Sequence, residues 1–162
     1  MSRPCVHADS IKPVPPHGSG CETCLGIGDS WLHLRQCLTC GRTLCCDGSP
    51  NRHASRHARE AGHPIMRSAE PDEDWVFCFG DDAPIQETPG GWKAFDPFVM
   101  EGTMLAGEHL AAGGSLDADP GLVVASEFPL GDWVGRVRSL KAAGELDADD
   151  AAAIGALPGW TW

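Results

Sequence analysis

The chain has 162 residues and a formal net charge of −11, with 20 glycines, 13 prolines, 8 cysteines, 7 histidines and no tyrosine. That length suits one average domain or two small ones, and the acid excess argues against nonspecific nucleic-acid binding by the whole chain and against anionic membrane surfaces. No apolar run approaches the roughly 20 residues of a membrane helix, and Pro4, His7, Asp9 and Lys12 break any signal-peptide core after Met1.

In chain order, residues 13–20 are rich in proline and glycine and read as a loop leading into Cys21. Residues 31–34 read as a short strand running towards Cys37, and residues 38–42 as a tight turn around Gly41. A helix is expected over residues 51–61, stopped by Gly62; His53 and His57 then lie four apart and project from one face. Residues 64–67 and 75–79 read as short strands, with the acidic run 70–74 as a solvated loop between them. Residues 84–91 (Ala-Pro-Ile-Gln-Glu-Thr-Pro-Gly) read as a linker. Beyond it the pattern turns helical: residues 95–111, ended by Gly113 and Gly114; residues 131–143, with Trp133, Val134, Val137 and Leu140 on one stripe and Gly144 after it; and residues 148–157, capped by Asp147 and stopped by Pro158 and Gly159. The expected division is 1–83, 84–91 and 92–162. The first segment carries 8 Lys/Arg against 11 Asp/Glu, the last 4 against 11.

All eight cysteines and six of the seven histidines fall between Cys5 and Cys78, in the order Cys5-x-His7, Cys21-x-x-Cys24, Cys37-x-x-Cys40, Cys45, His53-x-x-x-His57, His63, Cys78. A Cys-x-x-Cys turn grips one zinc with two thiolates, and spaced histidines complete a tetrahedral shell. In a chain expected to be cytosolic this pattern points to metal rather than disulfides. A loop-rich segment of this size also buries too little apolar surface to stand without such a staple. With Cys46 set aside, seven cysteines and four histidines make eleven ligands, one short of three closed sites.

This ladder resembles the ubiquitin-protease-type zinc finger, found in deubiquitinases, a cytoplasmic histone deacetylase and some bacterial proteins. The Gly62-His63-Pro64 tripeptide, and Trp75 followed by Cys78, extend the match over about half the chain. The resemblance implies interleaved zinc sites: Cys21, Cys24, Cys45 and His53 in one; Cys37, Cys40, His57 and His63 in a second; Cys5, His7 and Cys78 beginning a third. The family's terminal cysteine pair is reduced here to Cys78. Asp81, three residues on, is the favoured fourth ligand, with His33, Cys46 or water as alternatives. Ubiquitin-binding members trap a free diglycine tail with an Arg after the cysteine that follows the second Cys-x-x-Cys pair and with aromatic residues near the Trp. Trp75 and Phe77 fit the aromatic part, but Cys46 and Asp47 occupy the Arg position, which argues against ubiquitin itself.

Trp92, the run from Phe128 to Val134 (Phe-Pro-Leu-Gly-Asp-Trp-Val), Arg138, the Gly144-Glu-Leu146 triplet and the run from Leu157 to Trp162 (Leu-Pro-Gly-Trp-Thr-Trp) resemble one repeat of the helicase-associated domain of bacterial helicase-like proteins. That resemblance implies a nucleic-acid-facing module, which the acidity of the segment opposes. The sequence holds no Walker A loop, hence no helicase motor. The expected fold is α+β: a small zinc-stabilised domain with short strands and one main helix, followed by a three-helix bundle. The expected function is a cytoplasmic, bacterial, non-enzymatic module that binds two or three Zn2+ and a protein or peptide tail. The alternatives are a nucleic-acid accessory factor and, remotely, a zinc hydrolase.

Overall fold

The computed structural model of the chain describes residues 5–116 and 119–162. It divides into two compact units, residues 1–95 and 96–162. The first is built on a six-stranded antiparallel sheet in the order β2-β1-β3-β4-β5-β6, from β1 (Leu34–Cys37), β2 (Thr43–Cys45), β3 (Ile65–Ser68), β4 (Val76–Cys78), β5 (Ala83–Thr88) and β6 (Gly91–Ala94). Two helices, α1 (Glu22–Ile27) and α2 (His53–Ala61), complete it.

Because side chains alternate across a strand, register sorts the sheet into two faces. Cys37 pairs Met66, Met66 pairs Phe77, and Arg35 pairs Ser68. These residues share the face that α2 covers, where Ala58, Cys37 and Met66 form a buried cluster with Cys40 and Phe79 against it. The opposite face carries Ile65, Val76, Cys78 and Ile85. The N-terminal segment lies across that face. It makes a 3-10 turn at Ala8–Ser10, and Ala8 and Ile11 pack on the same apolar cluster with Trp92 and Ala94.

Residues 84–91, expected as a linker, instead belong to the sheet. Val76 pairs Ile85, Cys78 pairs Ala83, and Ile85 pairs Ala94 across a β5–β6 hairpin. Ala83 and Ile85 alternate inward and are buried, so the segment has the period of a half-buried strand despite its two prolines. Pro84 still contributes, since its carbonyl accepts from the Phe95 N–H at 3.2 Å. The turn falls at Pro89-Gly90, and Gly91 adopts φ +116 there, a conformation that suits glycine. The division therefore falls after Phe95, and Trp92 packs in the first unit.

The second unit comprises α3 (Pro97–Ala111), a short β7 (Val123–Val124) paired antiparallel with β8 (Phe128–Pro129), α4 (Leu130–Ala142) and α5 (Ala148–Gly155). Asp96 caps α3 by accepting from the Phe98 N–H at 3.0 Å, with Pro97 in the first turn. Asp147 caps α5 in the same way, accepting from the N–H groups of Asp149 and Asp150. The core gathers Val99, Leu105, Ala106, Leu130, Trp133, Val137 and Ile154. Trp133 is fully buried and donates its indole N–H to the Val99 carbonyl at 3.1 Å. Among the described residues, no helix is long and apolar enough to cross a membrane.

Candidate metal centres

Three groups of four metal-ligating side chains converge in the first unit, each with its ligand atoms within 4.8 Å of one another. The first is Cys21, Cys24, Cys45 and His53. Cys21 stands at the N-cap of α1 and Cys24 three residues on, so the first turn of the helix sets the Cys-x-x-Cys bite. Cys45 ends β2, and His53 opens α2 after Arg52 takes a left-handed φ of 49. His53 Nδ1 lies 3.4, 3.3 and 3.4 Å from the sulfurs of Cys21, Cys24 and Cys45, and the Cys24–Cys45 sulfurs are 3.9 Å apart. A zinc tetrahedron with the usual bond lengths has edges of about 3.8 Å between sulfurs and about 3.6 Å between sulfur and nitrogen. The donor set fits that cage.

The second group is Cys37, Cys40, His57 and His63. Cys37 ends β1, and the knuckle closes through the Gly41 N–H on the Cys37 carbonyl at 2.9 Å, with Gly41 at φ +79. His57 Nε2 lies 3.3 Å from the Cys40 sulfur and 3.2 Å from His63 Nδ1, close to the edges of about 3.6 and 3.3 Å that zinc requires. His63 reaches the group because α2 ends at Gly62, φ +65. The helix thus spans two groups, with His53 serving one and His57, a turn later, the other.

Cys5, His7, Cys78 and Asp81 form the third group. Cys78 ends β4 and Asp81 lies in the turn before β5, while Cys5 and His7 arrive from the N-terminal segment. The Cys78 sulfur is 3.6 Å from His7 Nδ1 and 3.7 Å from Asp81 Oδ2. His7 Nδ1 lies only 2.8 Å from Asp81 Oδ2, a hydrogen-bond distance, and the Val6 N–H donates to the same oxygen at 3.0 Å. A Cβ at position 80 would meet the His7 ring at 3.0 Å, so a larger residue there would push on this ligand. The other sequence candidates for this corner lie elsewhere: the exposed His33 sits 3.8 Å from Glu70, and Cys46 contacts Ser49.

Electrostatics explains what these clusters require. Burial, reinforced by the neighbouring Cys21 thiol, pushes Cys24 up to about 12; burial together with Asp81 and Cys78 does the same to Cys5. Grouped thiols cannot ionise side by side in a dry cluster unless a cation sits among them. Burial also lowers His53 and His57, helped by Arg56 for the first and His63 for the second, which keeps both imidazoles neutral as ligands must be. Asp81 is held below the usual carboxylate range by hydrogen bonds from Cys5 and His7. All eight cysteines are unpaired thiols.

Trp75 and Phe77 lie on the α2-covered face of the sheet, Trp75 at its exposed margin and Phe77 edge-on to Phe79, ring centroids 5.5 Å apart. The Trp75 indole N–H donates to Glu73 at 2.8 Å. The Arg35 guanidinium stacks over the Trp75 ring, 4.4 Å from its centroid. The cation beside the aromatic pair is therefore Arg35. Only strand register brings residue 35 beside residue 75, and no local motif signals it.

This donor chemistry defines a zinc-binding protein with two or three cysteine/histidine sites. Residues 21–89 match the family model described as "Zn-finger in ubiquitin-hydrolases and other protein". Similar curated proteins include ubiquitin carboxyl-terminal hydrolase 5 of Homo sapiens, 31% identical over 86 residues covering 47% of this chain and 10% of that protein. Ubiquitin carboxyl-terminal hydrolase 13 of Mus musculus is 28% identical, with 51% of this chain and 10% of that protein covered. The chain thus spans about a tenth of the length of these curated relatives. A solution NMR structure of protein RPA1320 from Rhodopseudomonas palustris is 46% identical, covering 52% of this chain and 82% of that one, with a TM-score of 0.47.

Proposed function

We propose that the chain is a non-catalytic protein-interaction module. Its first unit holds three zinc ions, on the twelve residues of the three groups above, and reads a peptide tail ending in a free carboxylate. The Arg35–Trp75 stack carries the reading. A guanidinium fork beside an exposed indole matches a terminal carboxylate bidentately, while the aromatic walls of Trp75 and Phe77 take the extended backbone before it. The unpaired thiols suit a reducing compartment such as the cytoplasm. The relatives, named as ubiquitin carboxyl-terminal hydrolases, make a Gly-Gly-ending peptide the natural first probe. Fluorescence anisotropy with that peptide as free acid and as amide tests the reading. Binding of the acid alone, lost in Trp75→Ala and in Arg35→Ala, is expected; equal binding of acid and amide would sink it.

A second reading, a helicase-associated-like role for the second unit, rests on the exposed Trp162 with Lys141 5.2 Å from its ring centroid. Aromatic rings flanked by cations stack on nucleic-acid bases. Trp133 is buried in the core and is removed from any such role. Salt-dependent binding of single-stranded DNA, weakened by Trp162→Ala, is the result this reading requires; unchanged anisotropy at low salt ends it.

A further inference from the structure

The three metal groups differ in what their donors do when no cation binds them. In the first, the sulfurs of Cys21, Cys24 and Cys45 are fully buried and are themselves the local core, with Trp31 and Leu34 packed against them. Their protein donors are few, the His53 N–H on the Cys45 sulfur at 3.3 Å and the Asn51 amide on the Cys24 sulfur at 3.7 Å, and without a cation three buried sulfurs stay crowded together, so its loss takes the local structure with it. The third group is different. There His7 pairs with Asp81 at 2.8 Å, the Val6 N–H bonds the same carboxylate, and the Asp81 N–H donates to the Cys78 sulfur at 3.4 Å. The corner is satisfied by the protein alone.

We propose that the Cys5, His7, Cys78 and Asp81 corner is an exchangeable site. It takes up and releases a divalent cation of the zinc class from the folded chain, while the other two sites keep theirs. This rests on the three-zinc reading above. Three observations combine. A nitrogen–oxygen edge of a zinc tetrahedron is about 3.4 Å, so an arriving ion must spread the His7–Asp81 pair by about 0.6 Å and break its hydrogen bond, a larger spread than the roughly 0.1–0.3 Å asked of the ligand pairs in the other two sites. Two of its donors are reachable, the His7 side chain being 38% exposed and that of Asp81 19%, although Cys78 is as buried as the cysteines of the first site. Its fourth donor is a hard carboxylate, where the first site has a third thiolate and the second a second imidazole, and a carboxylate suits zinc less than either.

Release leaves the fold in place, because Ala8 and Ile11 remain packed on Ile65, Val76 and Ile85. Binding replaces the hydrogen bond between His7 and Asp81, 74 positions apart, with bonds from both residues to one ion. Changing the ligand type is expected to loosen the ion at least about tenfold, a scale that loss of a mere outer contact already reaches.

The test is native mass spectrometry of the full chain, loaded with zinc and then exposed to graded chelator, with far-UV circular dichroism in parallel. One ion should leave first with the dichroism unchanged, and added Zn2+ or Co2+ should restore it. Asp81→Cys, which rebuilds a third thiolate, should retain all three ions under the same chelator. Asp81→Ala should lack the early-leaving ion and keep two. Three ions leaving together with loss of dichroism, or an early-leaving ion that persists in Asp81→Ala, would overturn the assignment. A wild type that holds its third ion as firmly as Asp81→Cys keeps the site but removes its exchange. A chain that takes up only two ions, in Asp81→Cys as in the wild type, removes the site itself. Peptide binding enters none of these readouts, so the tail-reading proposal stands or falls separately.

Discussion

Placing one methyl group on α3 tests the packing of the second unit. Gly102 is buried and faces the Trp133 ring, and a Cβ there would overlap the indole Cδ1, Cγ and Nε1. Trp133 is fully buried and tied to the Val99 carbonyl, so the ring cannot yield without breaking that bond. Overpacking costs about 1–3 kcal/mol, a broken buried hydrogen bond about 1–3 kcal/mol, and alanine returns about 1 kcal/mol of helix propensity. Gly102→Ala should therefore destabilise the second unit by about 3 kcal/mol, the middle of the sum of those ranges. Gly107, five residues on in the same helix, meets nothing closer than 3.6 Å, from Leu157. Gly107→Ala gains the propensity without the clash and should be neutral or stabilising by up to about 1 kcal/mol. Hydrogen-exchange mass spectrometry of the full chain in rising urea reads the α3 and α4 amides separately from the sheet, which matters because two units need not unfold together. Equal stability of the two variants would refute the close approach of α3 to Trp133.

The remaining predictions concern the first unit and the helix caps. Cys45→Ser opens a site whose metal is worth about 10–16 kcal/mol, against a domain stability of only about 5–15 kcal/mol. Amide protection in β1, β2 and α2 should collapse while α3 and α4 keep theirs, and a protected sheet would contradict the structural role of that site. Arg35→Ala should weaken a free-acid peptide by about 1.5–3 kcal/mol, tenfold or more, whereas Arg35→Lys, which keeps the charge but loses the fork, should fall between it and wild type by titration calorimetry. Asp147→Ala removes the α5 cap and should cost about 1 kcal/mol in urea unfolding of the second unit, with no change in zinc content.

Much of the first unit is legible because metal chemistry constrains spacing. Cys-x-x-Cys, the four-residue step from His53 to His57 and the stop at Gly62 are local signals, each with a local cause in a helix N-cap, a helix turn or a left-handed glycine. In the second unit Gly144, φ +71, and Asp147 mark helix ends just as locally. What stayed hidden is non-local. The β5–β6 hairpin carries turn residues at both ends, and its two prolines outweigh the inward alternation of Ala83 and Ile85 until β4 supplies a partner. Six-residue α1 is too short for a periodic signal, and Gly26 interrupts it. Arg35 acquires meaning only through the pairing of β1 with β3, where it sits opposite Ser68 near Trp75. The support of the first site is equally non-local: Asn51 lies 3.7 Å from the Cys24 sulfur and donates to Asp29 at 2.6 Å.

The most direct measurement is the number of zinc ions per chain, by native mass spectrometry in zinc-replete buffer, together with the intact mass of the polypeptide. Three ions on a chain whose eight cysteines carry no disulfide is the predicted result. One ion or none, or a mass lowered by disulfide formation in the folded protein, would contradict the account of a fold held together by metal.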